Sequence, residues 1–183
     1  MIETFHEDPK VSVAYIYCNF QRQQDQKAEQ ILANLLKQLV SQQDPLPGCV
    51  ESLYVKLERK KKRPSLEDLS QTFQLVAAPY SRAFIVVDAL DECDDADGSR
   101  TKLLNRLFDM QSKVVLNLFV TSRFIQSIEQ RFEGLPSVVI RPSRHDVFNF
   151  LDNHMFKLPD FVRRDESLQD EVKTEIESAI EGV

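Results

Sequence analysis

The chain has 183 residues, 42% of them apolar, and its 23 basic against 29 acidic residues give a formal net charge of −6, the profile of one soluble domain large enough to bury a core without disulfides or a metal. Its four glycines, Gly48, Gly98, Gly134 and Gly182, lie far apart, so neither G-x-x-x-x-G-K-[ST] nor G-x-G-x-x-G can be written anywhere in it. No apolar run approaches the roughly 20 residues of a membrane span, the acidic balance argues against a nucleic-acid-binding face, the N-terminus MIETFHEDPK lacks a secretion pattern, and Cys18, Cys49 and Cys93 form no C-x-x-C pair, which points to a reducing, cytoplasmic setting without zinc.

In chain order, Val11 to Cys18 is rich in β-branched and aromatic residues and reads as a strand. From Gln24 to Val40, apolar residues at Ala28, Ile31, Leu32, Leu35, Leu36 and Leu39 recur every three or four positions, which predicts an amphipathic helix. Pro45, Pro47 and Gly48 end it. A second helix is expected from Val50 to about Lys60. It runs into Lys56 to Arg63, where six basic residues meet one acidic. That run reads either as a patch for phosphate or an acidic partner or, more simply, as a solvated helix end favoured by the helix dipole. Ser65-x-x-Asp68 has the form of a helix N-cap, opening a helix to about Ala78.

Residues Ala83 to Asp97, AFIVVDALDECDDAD, begin as a continuous apolar run and end abruptly in acid. A run without alternation is the mark of a strand covered on both faces in a parallel sheet. A helix from about Arg100 to Gln111 follows, then a second buried strand, Val114 to Val120, ending in Thr121-Ser122-Arg123. A helix over Ile125 to Phe132, a strand over Val138 to Arg141, and helices over Arg144 to Met155 and Glu166 to Ile180 complete the pattern. Strands alternating with helices predict an α/β fold with a mostly parallel sheet.

Ligands of parallel α/β sheets sit at the carboxyl ends of the strands. Asp88 follows Phe84-Ile-Val-Val87 and at that edge suits Mg²⁺, a hard cation that takes oxygen ligands. Asp91 and Glu92 lie in the turn beyond, where a carboxylate can orient a water for in-line attack on a phosphate. Ala89 keeps the space beside the metal small. Thr121 and Ser122 add hydroxyls, and Arg123 adds a guanidinium suited to a terminal phosphate or an acidic neighbour.

The joint pattern, FIVVDALDEC and about thirty residues later LFVTSR, resembles the Walker B and sensor 1 segments of the NACHT class of STAND P-loop NTPases. In particular it is similar to fungal members that carry ankyrin, WD40 or other repeats and act in heterokaryon incompatibility and related signalling, through a module known as the nephrocystin 3-like N-terminal domain. VAYIYCNF at residues 13 to 20 resembles the strand after that family's nucleotide-binding helix, and Ser143 to Val147 the start of its lid. The resemblance covers about residues 5 to 155. It implies a P-loop NTPase-like three-layer sandwich, with residues 1–142 a partial core and 143–183 the start of a helical lid. It assigns Asp88 to Mg²⁺, Asp91 and Glu92 to hydrolysis, and Thr121, Ser122 and Arg123 to the nucleotide, ATP or GTP.

Family members place a glycine-rich Walker A loop and helix before the Val11 strand, whereas only Met1 to Lys10 precede it here. The expectation is therefore a fragment of a NACHT signalling domain that does not bind or hydrolyse ATP or GTP tightly alone. Its sheet is incomplete, the Val114 strand presents an open edge, and the Val138 strand has no neighbour. The alternative is a non-catalytic interaction or decoy module that forms homo- or hetero-oligomers with full-length NACHT proteins.

Simpler readings cover the other features. An EF-hand register with Gly98 sixth puts Cys93 first and Leu104 twelfth, where Asp and Glu are needed, so Asp94, Asp95 and Asp97 read as a loop charge-matched to the next helix N-terminus. His6, His145 and His154 read as surface or cap residues, and Cys93 as a packed thiol. No G-x-S-x-G elbow supports a serine hydrolase.

Overall fold

The computed structural model describes residues 8–141 and 143–181 of the chain. They form two compact units, Met1–Glu133 and Gly134–Val183, a division nine residues earlier than the start of the expected lid.

The first unit is α/β. Three parallel strands, β1 (Val11–Tyr17), β2 (Arg82–Asp88) and β3 (Leu116–Val120), lie in the order β1-β2-β3. Val11 pairs with Arg82 and Tyr17 with Asp88, while Ala83 pairs with Leu116 and Val87 with Val120. This register aligns Ser12, Ala14 and Ile16 with Ala83, Ile85 and Val87, and those with Leu116, Leu118 and Val120, on one face of the sheet. That face carries the core. Ala14, Ala83, Ile85 and Val87 are fully buried among helices α1 (Ala28–Val40), α3 (Leu66–Ala77) and α4 (Ser99–Gln111). Helix α1 contributes Ile31, Leu32, Leu35 and Leu39, and α4 contributes Leu103, Leu104, Leu107 and Met110, the stripes their apolar spacing predicts. Each such side chain stabilises the fold by roughly 1.5–3 kcal/mol.

The opposite face differs from the expectation of a strand covered on both sides. Phe84 and Val86 are half-buried, and Tyr15, Tyr17 and Phe119 are 40%, 61% and 57% exposed. The described helices of this unit supply one layer, so the apolar run of β2 reflects one covered face and one partly open face.

Local chemistry sets most boundaries. A six-residue 3₁₀ segment, Phe20–Asp25, replaces the first turn of the predicted helix, and α1 begins at Ala28. The Gln30 side chain there caps the Lys27 N–H at 3.0 Å. Helix α2 (Gly48–Lys60) buries no residue fully and ends on Lys61 in the left-handed region, φ 48°. The Ser65 hydroxyl accepts from the Asp68 N–H at 3.1 Å and the Asp68 carboxylate accepts from the Ser65 N–H at 3.2 Å, completing the capping box read from the sequence. The helix predicted over Ile125 to Phe132 is split into α5 (Gln126–Glu129) and a 3₁₀ turn, Gln130–Phe132.

The second unit contains α6 (Arg144–His154), α7 (Asp160–Arg163) and α8 (Glu166–Glu181), with α7 unforeseen in the sequence. Lys173 of α8 meets Asp152 of α6 at 2.6 Å. The strand expected over Val138 to Arg141 is absent. These residues are irregular, with Val138 86% and Ile140 84% exposed. A β-rich tetrapeptide without a paired strand among the described residues has no ladder to satisfy its backbone, and propensity alone does not make it a strand.

Candidate functional site

The carboxyl edge of the sheet gathers five of the six candidate side chains. Strand β2 ends at Asp88, and the next residue, Ala89, takes the left-handed conformation, φ 53° and ψ 49°. A non-glycine residue there costs roughly 1–2 kcal/mol. The turn is held by Thr121, the first residue past β3. The Thr121 N–H donates to the Val87 carbonyl at 3.0 Å, and the Leu90 N–H donates to the Thr121 carbonyl at 2.9 Å. The Ala89 N–H donates to the Thr121 hydroxyl at 2.9 Å, and that hydroxyl donates to an Asp88 carboxylate oxygen at 2.5 Å. One threonine thus satisfies the strained turn and orients Asp88.

Beyond the turn, a single 3₁₀ turn, Leu90–Glu92, buries Leu90 completely and carries the acidic pair. Asp91 accepts from the Arg123 N–H at 3.1 Å and from the Arg123 Nε at 2.6 Å. The Asp91 side chain is 3% exposed and that of Arg123 80%. Burial pushes the Asp91 carboxyl up, but the side-chain and backbone hydrogen bonds from Arg123 outweigh it and hold the group below its ordinary value. The same bond raises Arg123. The contact uses Nε and the Arg123 side chain is largely exposed, so the guanidinium keeps further N–H donors for an anion.

Glu92 accepts from the Phe20 N–H at 3.2 Å, linking the turn to the segment after β1. The Ser122 hydroxyl donates to the Arg123 carbonyl at 2.7 Å and does not join the others. Asp88, Asp91, Glu92, Thr121 and Arg123 are therefore connected at one edge, whereas Ser122 shapes its own loop.

The remaining acids do what their position implied. Asp95 accepts from the Thr101 N–H and hydroxyl, each at 3.0 Å, and Asp97 from the Ser99 N–H at 2.9 Å. They cap α4 behind Gly98, whose φ of 72° suits glycine. Among the described residues no group of three or more His, Cys, Asp or Glu side chains could hold a metal ion. No described helix is long and apolar enough to cross a membrane.

Two features of this edge had no signal in the sequence. One is the left-handed Ala89, which nothing in D-A-L-D announces. The other is the pairing of Asp91 with Arg123 across 32 positions, because a Thr-Ser-Arg end offers its arginine to either an anion or an acid.

Residues 1–123 match the family described as Nephrocystin 3, N-terminal, a span that ends on Arg123 and takes in every candidate residue. No curated protein and no solved structure matches the chain.

Proposed function

The chain belongs to the nephrocystin 3 N-terminal family, and from that premise we propose that it carries the Mg²⁺-nucleotide edge of a NACHT-class signalling NTPase core without the loop that grips the triphosphate. The observation behind this reading is the Asp88–Thr121 contact at 2.5 Å, where two neighbouring parallel strands end. Ligands gather at such ends, and strained backbone of the Ala89 kind is concentrated at functional sites.

In this reading β2 and Asp88 form the Walker B segment, and β3 with Thr121, Ser122 and Arg123 forms sensor 1, within a P-loop NTPase sandwich. The free oxygen of Asp88 and the Thr121 hydroxyl are donors suited to Mg²⁺. With no three-ligand cluster among the described residues, the ion would be shared with phosphate oxygens and water. A bound Mg²⁺ supplies charge neutralisation for a transferring phosphoryl group. Arg123, steadied through Nε by Asp91, offers its Nη groups to a terminal phosphate. Asp91 and Glu92, the latter accepting from the Phe20 N–H, are in this reading the acidic pair linked to hydrolysis.

The sequence contains no G-x-x-x-x-G-K-[ST], so backbone N–H groups and a lysine for the β- and γ-phosphates are missing. The carboxylates alone meet a triphosphate as like charges. Titration of the purified chain with labelled ATP or GTP and Mg²⁺ is expected to give at most millimolar binding, with Asp88→Asn removing any Mg²⁺ dependence. Micromolar binding contradicts this reading.

The exposed Phe119 on the outer strand β3 favours a second reading, a non-catalytic module that pairs with full-length NACHT proteins through this edge. Co-purification with such a protein, lost in Phe119→Asp, supports it. A chain that stays alone and monomeric at high concentration counts against it.

A further inference from the structure

Where α2 gives way to α3, the chain carries Arg59, Lys60, Lys61, Lys62 and Arg63 in unbroken succession, in a protein of net charge −6. All five are exposed, and none of their side chains has an ion pair or hydrogen bond among the described residues. The acids around them are engaged. Glu58 accepts from the Tyr54 hydroxyl at 3.3 Å, Glu67 pairs with Arg106 at 2.8 Å, and Asp68 pairs with Lys56 at 2.7 Å. Positive charge is therefore segregated at the tip of the helical pair, and the neighbouring carboxylates are committed elsewhere. The tip is fixed at both ends. The Lys61 N–H donates to the Glu58 carbonyl at 3.1 Å and the Lys62 N–H to the Leu57 carbonyl at 3.2 Å, closing α2, while Ser65 and Asp68 cap α3 and Lys56 ties the two helices together. Lys61 holds the left-handed position, φ 48°, that glycine usually takes after a helix. A helix dipole favours cations in its last turn, which accounts for Arg59 and Lys60 but not for a lysine in strained backbone, nor for Lys62 and Arg63 beyond it. Strain and like-charge repulsion both oppose stability here, and such broken local rules mark functional positions.

We propose that Arg59 to Arg63, displayed unpaired at the tip between α2 and α3, dock the protein on an anionic membrane surface through its charged lipid headgroups. The complementarity is one of charge alone. Residues 59–63 include no apolar or aromatic side chain, so the tip lacks the buried anchor that carries a protein–protein interface and the ring on which a single-stranded nucleic acid stacks. A membrane surface needs neither, because each Lys or Arg near an anionic leaflet adds its own attraction, about fivefold in partitioning. A lone phosphate or nucleotide meets only one or two of the five cations, so the tip answers to a surface of many headgroups and not to a single anion.

The test is co-sedimentation of the full chain with phosphatidylcholine vesicles that contain or lack phosphatidylserine. Binding is expected only with phosphatidylserine, and it is released near 1 M salt, where the screening length falls to about 3 Å. Replacing two cations, Lys60→Gln with Lys62→Gln, weakens it roughly 30-fold, whereas Lys113→Gln, an exposed cation elsewhere, leaves it unchanged. Lys61→Gly separates function from stability: relief of the left-handed lysine raises the melting temperature, while binding falls about fivefold. No binding to phosphatidylserine vesicles, equal binding to phosphatidylcholine alone, or a double variant that binds like wild type overturns the proposal. So does equally tight, Lys60- and Lys62-dependent binding to single-stranded RNA, which would make the tip a nucleic-acid site.

Discussion

The Thr121 hydroxyl stands between Ala89 and Asp88, accepting from the N–H of one and donating to the carboxylate of the other at 2.9 and 2.5 Å. Removing it orphans a partly buried donor and an acceptor together. Thr121→Val keeps the shape of the side chain, so the loss is one of hydrogen bonding, and about 1–3 kcal/mol of stability should disappear. Urea unfolding of wild type and variant measures it, and unchanged midpoints would show that the hydroxyl is dispensable.

Ala89 tests whether the turn stores strain. Ala89→Gly should raise stability by about 1 kcal/mol, because the left-handed region is open to glycine, whereas Ala89→Val should lower it by more than that. Thermal melts separate the two. A glycine variant less stable than wild type would mean that the ordering of the turn outweighs its strain.

Asp91 gives the acid side of the stability profile. Its folded-state carboxyl lies below the ordinary aspartate value of 3.8, so its contribution is fully present above that value and fades as pH falls through the lower, folded one. Asp91→Asn should cost about 1–2 kcal/mol at pH 7, and the difference from wild type should shrink progressively below pH 4. Denaturant midpoints between pH 2.5 and 7 follow the trend. A difference independent of pH would assign the effect to packing.

Ser12 faces the core from β1, is 1% exposed, and its hydroxyl has no hydrogen-bond partner. An unpaired buried hydroxyl costs free energy that alanine does not, so Ser12→Ala should be neutral or stabilising by up to about 2 kcal/mol. A destabilised variant in urea titration would reveal a partner for the hydroxyl.

Much of this fold is legible in the sequence because its signals are local or periodic. The leucines of α1 and α4 recur at helical spacing, Ser65 and Asp68 stand where a capping box needs them, and the acid directly after Val87 marks the strand end on which the candidate site is built. What was hidden depends on neighbours. Val138 to Ile140 have strand composition but no strand beside them. Phe84 and Val86 look like residues of a strand buried on both faces, yet among the described residues they are half-buried while Ile85 and Val87 are fully buried against helices. The Asp91–Arg123 pair joins positions far apart in the chain, and neither residue type announces its partner.

The central claim, that the ends of β2 and β3 form a nucleotide-facing edge too incomplete to bind tightly, is tested most directly by amide chemical-shift mapping of the isotope-labelled chain during titration with Mg²⁺-ATP. The account predicts weak, non-saturating shifts at millimolar nucleotide, confined to residues 88–92 and 121–123 and abolished by Asp88→Asn. Saturation at micromolar nucleotide, or shifts that avoid both strand ends, would contradict it.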